Sequence, residues 1–520
     1  MVGRRYRGFW PIVLLPALAL VLLVPSFIIA ETDRQLPASD DPKSLFKQAR
    51  KEDRKWRFEN AERLYRQAIQ LDPNYTDAKL ALAYVLARKH SVREAYDISF
   101  GVAQAEPGNA RAFAVLGATL LISGSFKDAR RCFDKAVSLN RKDDLAYAGI
   151  GMLDFYENQI DTSLMYLEEA AYHDPDEPDY QFALGQVSAR AEHYKESADA
   201  YKRFLAIAPE LDSDRRLRII GLIKFLDFLG QRTSLYATDG SDVASLPFSL
   251  VGNRPVIKLR INDNERPLNF VLDTGSGISV ISDVLAKKLK IKEITRGGYA
   301  KGIGGDGRFE IVYGFIREIA LGDVKIKNVP VYIRHFHTVS EDIDGYIGLS
   351  LISKFLTTID YGNLTFDLAK RTSADPPTAT TDVSLPLRLT SSGFLSGEVK
   401  LEGLNDTFNF IVDTGASVSV ISDEIAGLNE VSRYVRTEKM RVIGSAGVTE
   451  DVPSFTLPRI TFGTNSCERV NAIALDLGMI NEASGFQQAG ILGGNFLRNY
   501  RLTFDFKNSK VIFVPIAHEK

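Results

Sequence analysis

Between residues 42 and 230 small and apolar side chains return with a helical period that is nested inside a longer one of 34 residues. Pro73, Pro107, Arg141, Pro175 and Pro209 mark that longer step. In each unit a small residue recurs at a matched place, Ala49, Ala83, Gly117, Gly151 and Gly185 in a first helix and Ala61, Ala95, Ala129, Ser163 and Ser197 in a second. Small residues there predict closely packed helix pairs, with Tyr65, Phe133, Leu167 and Tyr201 filling the space between. The segment from Arg216 to Gly230 is predicted to be a closing helix over the last unit. From about residue 244 the pattern changes to short runs in which apolar and polar residues alternate, as half-buried strands require.

The strand-rich region repeats itself. FVLDTGSGISVISD at Phe270 to Asp283 returns as FIVDTGASVSVISD at Phe410 to Asp423, identical at 9 of 14 positions and offset by 140 residues. The same offset carries Leu259 and Ile261 onto Val399 and Leu401, and Ile303-Gly304 onto Ile443-Gly444. Each half then closes with two apolar residues and a glycine, Tyr346-Ile347-Gly348 and Ile491-Leu492-Gly493, followed by further strands. The duplicated units are predicted at 244–370 and 383–516. A linker is expected at 231–243, and the Pro- and Thr-rich 371–382 is expected to be an exposed strap between the halves.

Paired Asp-Thr-Gly motifs in one apolar frame resemble the aspartic proteases of the retropepsin and pepsin type. The resemblance covers both halves and implies a shared site on a two-fold axis, closed by hairpin flaps. By position Asp273 and Asp413 correspond to the catalytic pair. Thr274, Gly275 and Ser276, with Thr414, Gly415 and Ala416, fall where the supporting loops lie. Gly302, Ile303, Gly304 and Gly305, with Ile443, Gly444 and Ser445, fall in the flaps. The helical region, 42–230, resembles five tetratricopeptide repeats with their closing helix. The expected fold is therefore multidomain, an all-α tetratricopeptide solenoid followed by a duplicated all-β retropepsin-like domain.

Two carboxyls within hydrogen-bonding distance cannot both ionise cheaply, so such a pair retains one proton and contains an acid and a base together. One member can activate water while the other protonates the peptide carbonyl. The hydroxyl of Ser276, where the second copy has Ala416, is expected to bond the Asp273 carboxylate and make Asp273 the more acidic member. The resemblance implies an aspartic endopeptidase with a peptide or protein substrate. The other readings are a catalytically inactive binding scaffold and halves that pair between chains. Because a strap joins unlike halves, a monomer is expected to suffice for one active site.

Other chemistry is weaker. Gly302 to Gly307 fits G-x-G-x-x-G, but strand-like residues follow it instead of a helix, so a flap or hairpin is expected in place of a phosphate loop. His335 and His337 near Glu341, Asp342 and Asp344 read as solvated loop charge, and neither metal nor cofactor is expected. The repeats are expected either to bind a protein partner on a long concave face or to act as a spacer.

At the amino end Arg4, Arg5 and Arg7 precede the 22-residue apolar run from Phe9 to Ala30. As a helix that run would span about 33 Å, close to a hydrocarbon core of about 30 Å. Residues 1–30 are expected to be a single-pass signal anchor leaving both large regions outside the cytoplasm, periplasmic if the source is bacterial. A cleaved signal and a secreted protein is the competing reading. The net charge of −2 lacks any long basic tract, which argues against nucleic acid as a partner. Cys132 and Cys467, one in each large region, do not make a disulfide framework.

Overall fold

The structure, a computed structural model, describes residues 41–209, 213–232, 234–305, 308–337, 342–370 and 383–516. The expected anchor and the strap 371–382 lie outside the described residues. Among those described, no helix is long and apolar enough to cross a membrane.

The 34-residue period becomes five helix pairs among the described residues. Second helices begin at Phe58, Val92, Phe126, Ile160 and Tyr194, and first helices after the opening Pro42–Asp53 begin at Thr76, Ala110, Asp144 and Pro178. The small positions are small because aromatic or leucine side chains occupy the space a Cβ would need. A Cβ on Gly117 would stand 2.7 Å from the Phe133 ring, one on Gly151 2.8 Å from Leu167, and one on Gly185 2.8 Å from Tyr201. Ser163 and Ser197 add a bond each, their hydroxyls donating to the backbone carbonyls of Gly151 and Gly185 at 2.7 Å.

The expected open concave face is bridged from within. Trp56, in a left-handed turn between the first two helices, brings its ring within 6.1 Å of Phe204 in the last pair. The Arg88 guanidinium donates to Asp179 across 91 residues of sequence at 2.9 Å. Arg215 of the closing helix lies 5.0 Å over the Trp56 ring. The first and last units therefore touch, which the repeat pattern alone does not show.

The two β-rich halves have matching strand orders. In each, the strand that ends at the aspartate, Leu268–Leu272 or Thr407–Val412, pairs in parallel with a short strand, Gly345–Ile347 or Gly490–Leu492. The halves are joined in one sheet, with Phe355–Asp360 antiparallel to Tyr500–Asp505 and Thr357 opposite Phe504. Phe355, Ile359, Phe366, Leu502 and Phe504 are fully buried there. The two halves of the chain thus share this sheet.

Part of the expected linker is a strand. Ala237–Gly240 pairs with Val324–Arg334, Ala237 opposite Lys327, and Tyr236 is buried beside it. Four residues reading Ala-Thr-Asp-Gly carry no apolar alternation, so this edge strand has no sequence signal.

The helical array is docked onto both halves. Fully buried Phe486 of the second half packs against Phe126 at 4.9 Å and Tyr156 at 5.0 Å. Arg190 donates to the Thr390 carbonyl at 2.7 Å, and Glu192 pairs with Lys354 of the first half. The closing helix Ser213–Gly230 lies on the hairpin of the first half formed by Lys292–Lys301 and Arg308–Leu321. Phe225 stacks on Tyr313 at 4.5 Å, Arg218 donates to the Tyr299 carbonyl at 2.9 Å, and Asp214 pairs with Arg308. A Cβ on Gly221 would stand 2.5 Å from the Arg296 carbonyl oxygen, so glycine lets helix and hairpin backbones meet.

Candidate active site

Each Asp-Thr-Gly turn leaves the end of a buried strand held in place by its parallel neighbour. The Asp273 amide donates to the Ile347 carbonyl at 3.0 Å and the Asp413 amide to the Leu492 carbonyl at 2.9 Å. Ser279 and Ser419 fix the neighbouring turn, their hydroxyls accepting from the amides of Gly348 and Gly493 at 3.1 Å. These two serines are identical positions of the duplicated motif, and their role shows only in the folded turn.

The two turns interlock through their threonines. The Thr274 hydroxyl donates to the Val412 carbonyl at 2.6 Å and accepts from the Thr414 amide at 3.1 Å. Thr414 reciprocates, donating to the Leu272 carbonyl at 2.6 Å and accepting from the Thr274 amide at 3.1 Å. Both threonines are fully buried, so these bonds do not compete with water. The glycines then bring backbone against carboxyl. The Gly275 amide donates to Asp273 Oδ1 at 2.9 Å and the Gly415 amide to Asp413 Oδ1 at 2.7 Å. A Cβ on Gly415 would stand 2.6 Å from Asp273 Oδ1, and one on Gly275 would intrude on the Asp413 carboxyl.

Asp273 and Asp413 are thereby brought within hydrogen-bonding reach of each other. Burial pushes the Asp273 carboxyl well above the usual carboxylate range, and the charge of Asp413 pushes the same way. Burial also raises Asp413, but the hydrogen bond from Asp273 and amides of Gly415, Ala416 and Gly275 hold its ionised form. Both carboxyls are thus shifted upward, and the pair retains one proton that the two share. Ser276 does not make the expected bond to the Asp273 carboxylate. Its hydroxyl donates to the Ile278 carbonyl at 2.7 Å and is not available to the Asp273 carboxylate. The Ala416 amide acts on Asp413 instead, a backbone contribution that side-chain identity does not reveal.

The two expected flap segments meet each other. Gly302–Gly305 caps the hairpin of the first half, and Ile443, Gly444 and Ser445 cap the hairpin of Val435–Gly444 and Gly447–Phe462. The Ala446 amide donates to the Ile303 carbonyl at 2.8 Å and the Gly305 amide to the Val448 carbonyl at 3.1 Å. Gly304 and Gly305 have φ of 91° and 56°, a backbone that suits glycine and lets the tips pass closely. Strands on both sides of this tip match the hairpin expectation over the phosphate one, residues 306 and 307 lying outside the described set. His335 and His337 stand edge to face at 5.4 Å, His335 is 3.5 Å from Asp283, and the Asp344 carboxylate accepts from the Asn269 amide at 3.0 Å. Glu341 lies outside the described residues.

One charged group near the pair has no forerunner in the sequence reading. Arg334 ends the strand Val324–Arg334, and its charge reaches Asp273. The strand registers set it against Leu475 of the second half, whereas the 140-residue offset sets it against Ala474, so the sequence repeat does not single it out.

The family model described as aspartyl protease matches the chain twice, over residues 257–351 and 397–496. Comparison with curated proteins gives no match. Solved structures similar to the chain include a thermophilic TPR protein from Thermus thermophilus, 18% identical with a TM-score of 0.31 over 35% of this chain and 98% of that one. PilF of Pseudomonas aeruginosa is 17% identical, with a TM-score of 0.28 over 36% of this chain and 87% of its own. YrrB, described as a TPR protein with an unusual peptide-binding site, is 24% identical, with a TM-score of 0.22 over 32% and 87%. The repeat assignment rests on the helix spacing and the glycine contacts above, independently of these likenesses.

Proposed function

We propose, on the premise that residues 257–351 and 397–496 are the two halves of one aspartyl protease domain, that the protein is an aspartic endopeptidase. The observation that carries the reading is a pair of half-buried carboxyls, one on each half, within hydrogen-bonding reach of each other on interlocked turns, together with two flap tips that touch. In this reading a water between the carboxyls loses its proton to the ionised member of the pair as its oxygen attacks the scissile carbonyl carbon. The protonated member gives its proton to the carbonyl oxygen, and the resulting tetrahedral intermediate has no covalent bond to the enzyme. Extended substrate lies between carboxyls and flaps, where flap-tip backbone groups can bond its own backbone as an added strand does.

The test uses the purified full chain with a denatured protein and a broad peptide library from acid to neutral pH. Cleavage by the wild type, lost in both Asp273→Asn and Asp413→Asn, supports the reading. A wild type as inert as both variants turns it toward the second reading, a binding scaffold that retains the fold without turnover.

Recruitment of a substrate or partner by the repeats is a further arm of the proposal. The docked, internally bridged array favours a bracing role beside it. Photo-crosslinking of a bound protein substrate to Asp413→Asn separates the two. Crosslinks on residues 42–207 support recruitment, and crosslinks confined to cleft and flaps remove it. We also propose that Phe9 to Ala30 anchors the chain in a membrane with both large regions outside the cytoplasm. Full-length protein that leaves the membrane fraction in alkaline carbonate would refute the anchor.

A further inference from the structure

Strand register makes the two halves directly comparable on either side of the carboxyl pair, and they differ in chemistry. Arg334 stands opposite Ser282 in the first half, while Leu475 stands opposite Ser422 in the second. Tyr346 stands opposite Val280, while Ile491 stands opposite Val420. One half therefore carries a cation and a phenol where the other carries two aliphatic side chains. Leu475 and Ile491 belong to an apolar cluster with Phe394, Val418 and Val442, which also takes in Ile303 from the opposite flap.

Arg334 lies beneath the first flap, its guanidinium 5.1 Å from the centroid of the Phe309 ring. A Cβ on Gly302 would stand 2.9 Å from that same ring, so Phe309 links the flap tip to Arg334. Arg334 Nε is buried without a hydrogen-bond partner. Burial pulls the guanidinium below its ordinary pKa, and among the described residues the groups that offset this are Tyr346 and Asp273. An unfilled donor on a buried cation is unfavourable, and an anionic acceptor that arrives with the substrate removes the penalty. Guanidinium suits this task because its planar fork matches a carboxylate.

We propose that Arg334 is a specificity-determining residue that receives an Asp or Glu side chain of the peptide beside the cleaved bond, while the Leu475 cluster takes a large apolar side chain on the other side of that bond. The inference rests on the peptidase reading and deepens it, since it names the substrate class as peptides with an acidic and an apolar residue flanking the cleavage point.

Peptide pairs that differ only as Glu or Gln at the flanking positions test it with the full chain. Wild type is expected to prefer Glu by about ten- to a hundredfold in kcat/KM, the range of a charge-assisted hydrogen bond. Arg334→Leu, which installs the residue of the other half, should bring the ratio near one. Arg334→Lys should keep part of the preference, and Arg334→Glu should turn it toward a Lys peptide. A preference unchanged in Arg334→Leu, or absent from the wild type, overturns the inference. So does an equal fall for all peptides with a moved pH profile, which would assign Arg334 to the carboxyl pair instead. Fluorescence anisotropy of the same labelled peptides on Asp413→Asn separates this from the peptidase reading. If wild type cuts nothing, that reading fails. A Glu-over-Gln binding preference lost in Arg334→Leu/Asp413→Asn would still support the acidic subsite, and equal binding would overturn it.

Discussion

Replacing Thr414 by Val removes one hydroxyl, keeps the side chain's volume, and disconnects the two active-site turns at a defined place. The change leaves the Thr274 amide without its acceptor and the Leu272 carbonyl without its donor, both in fully buried surroundings. Each orphaned group costs about 1–3 kcal/mol, so the pair amounts to roughly 2–6 kcal/mol. That is a large share of the roughly 5–15 kcal/mol that holds a typical domain together. Thr414→Ser is the control, because it keeps both bonds and gives up one buried methyl, about 1 kcal/mol. Hydrogen exchange read by mass spectrometry on segments 268–276 and 408–416 of the full chain reports the local opening. Loss of its acceptor should speed exchange of the Thr274 amide by about five- to 150-fold in Thr414→Val, with Thr414→Ser much closer to wild type. Peptidase activity should fall by about a hundredfold, the effect of displacing reacting groups by about 1 Å. Equal exchange in the Val and Ser variants would refute the interlock as the element that holds the carboxyls together.

Three other outcomes follow from the same geometry. The raised pKa of Asp273 means that the folded state holds a proton that the unfolded chain releases near pH 4, so this group stabilises fully below about pH 3.9 and loses that contribution as pH rises toward its folded pKa. Asp273→Asn should therefore raise the thermal midpoint at pH 7 more than at pH 3 while abolishing cleavage, and a lower midpoint at pH 7 would count against the raised pKa. Ser276→Ala should leave the acidic limb of the pH-rate profile in place, because the hydroxyl bonds the Ile278 carbonyl, and a shift of half a unit would contradict that. Gly221→Val should push the closing helix off the first flap hairpin, since the added atoms meet backbone at Arg296 and Gly297, and faster exchange across 292–301 in the full chain would show it.

Much of the fold was legible because its signals are local. The 34-residue step located the helix pairs, and the small positions proved to be places where Phe133, Leu167 and Tyr201 leave no room for a Cβ. The duplicated motif located both carboxyls, both threonines and the flap tips, since each copy encodes its own strand and turn. The four-residue strand Ala237–Gly240 escaped because it is defined by its partner Val324–Arg334, not by its own pattern.

The sequence by itself determined the periods, the duplicated turns and therefore the identity of the acidic pair, because propensity and alternation act over a few residues at a time. Tertiary structure alone decided that Phe355–Asp360 joins Tyr500–Asp505, that Trp56 closes the array on Phe204, and that the closing helix rests on a flap. It also decided that the two carboxyls share a proton, since their mutual approach and burial depend on where distant segments come to rest. Contacts between residues a hundred or more apart are selected by the packing of whole surfaces, and no short stretch of chain contains that choice.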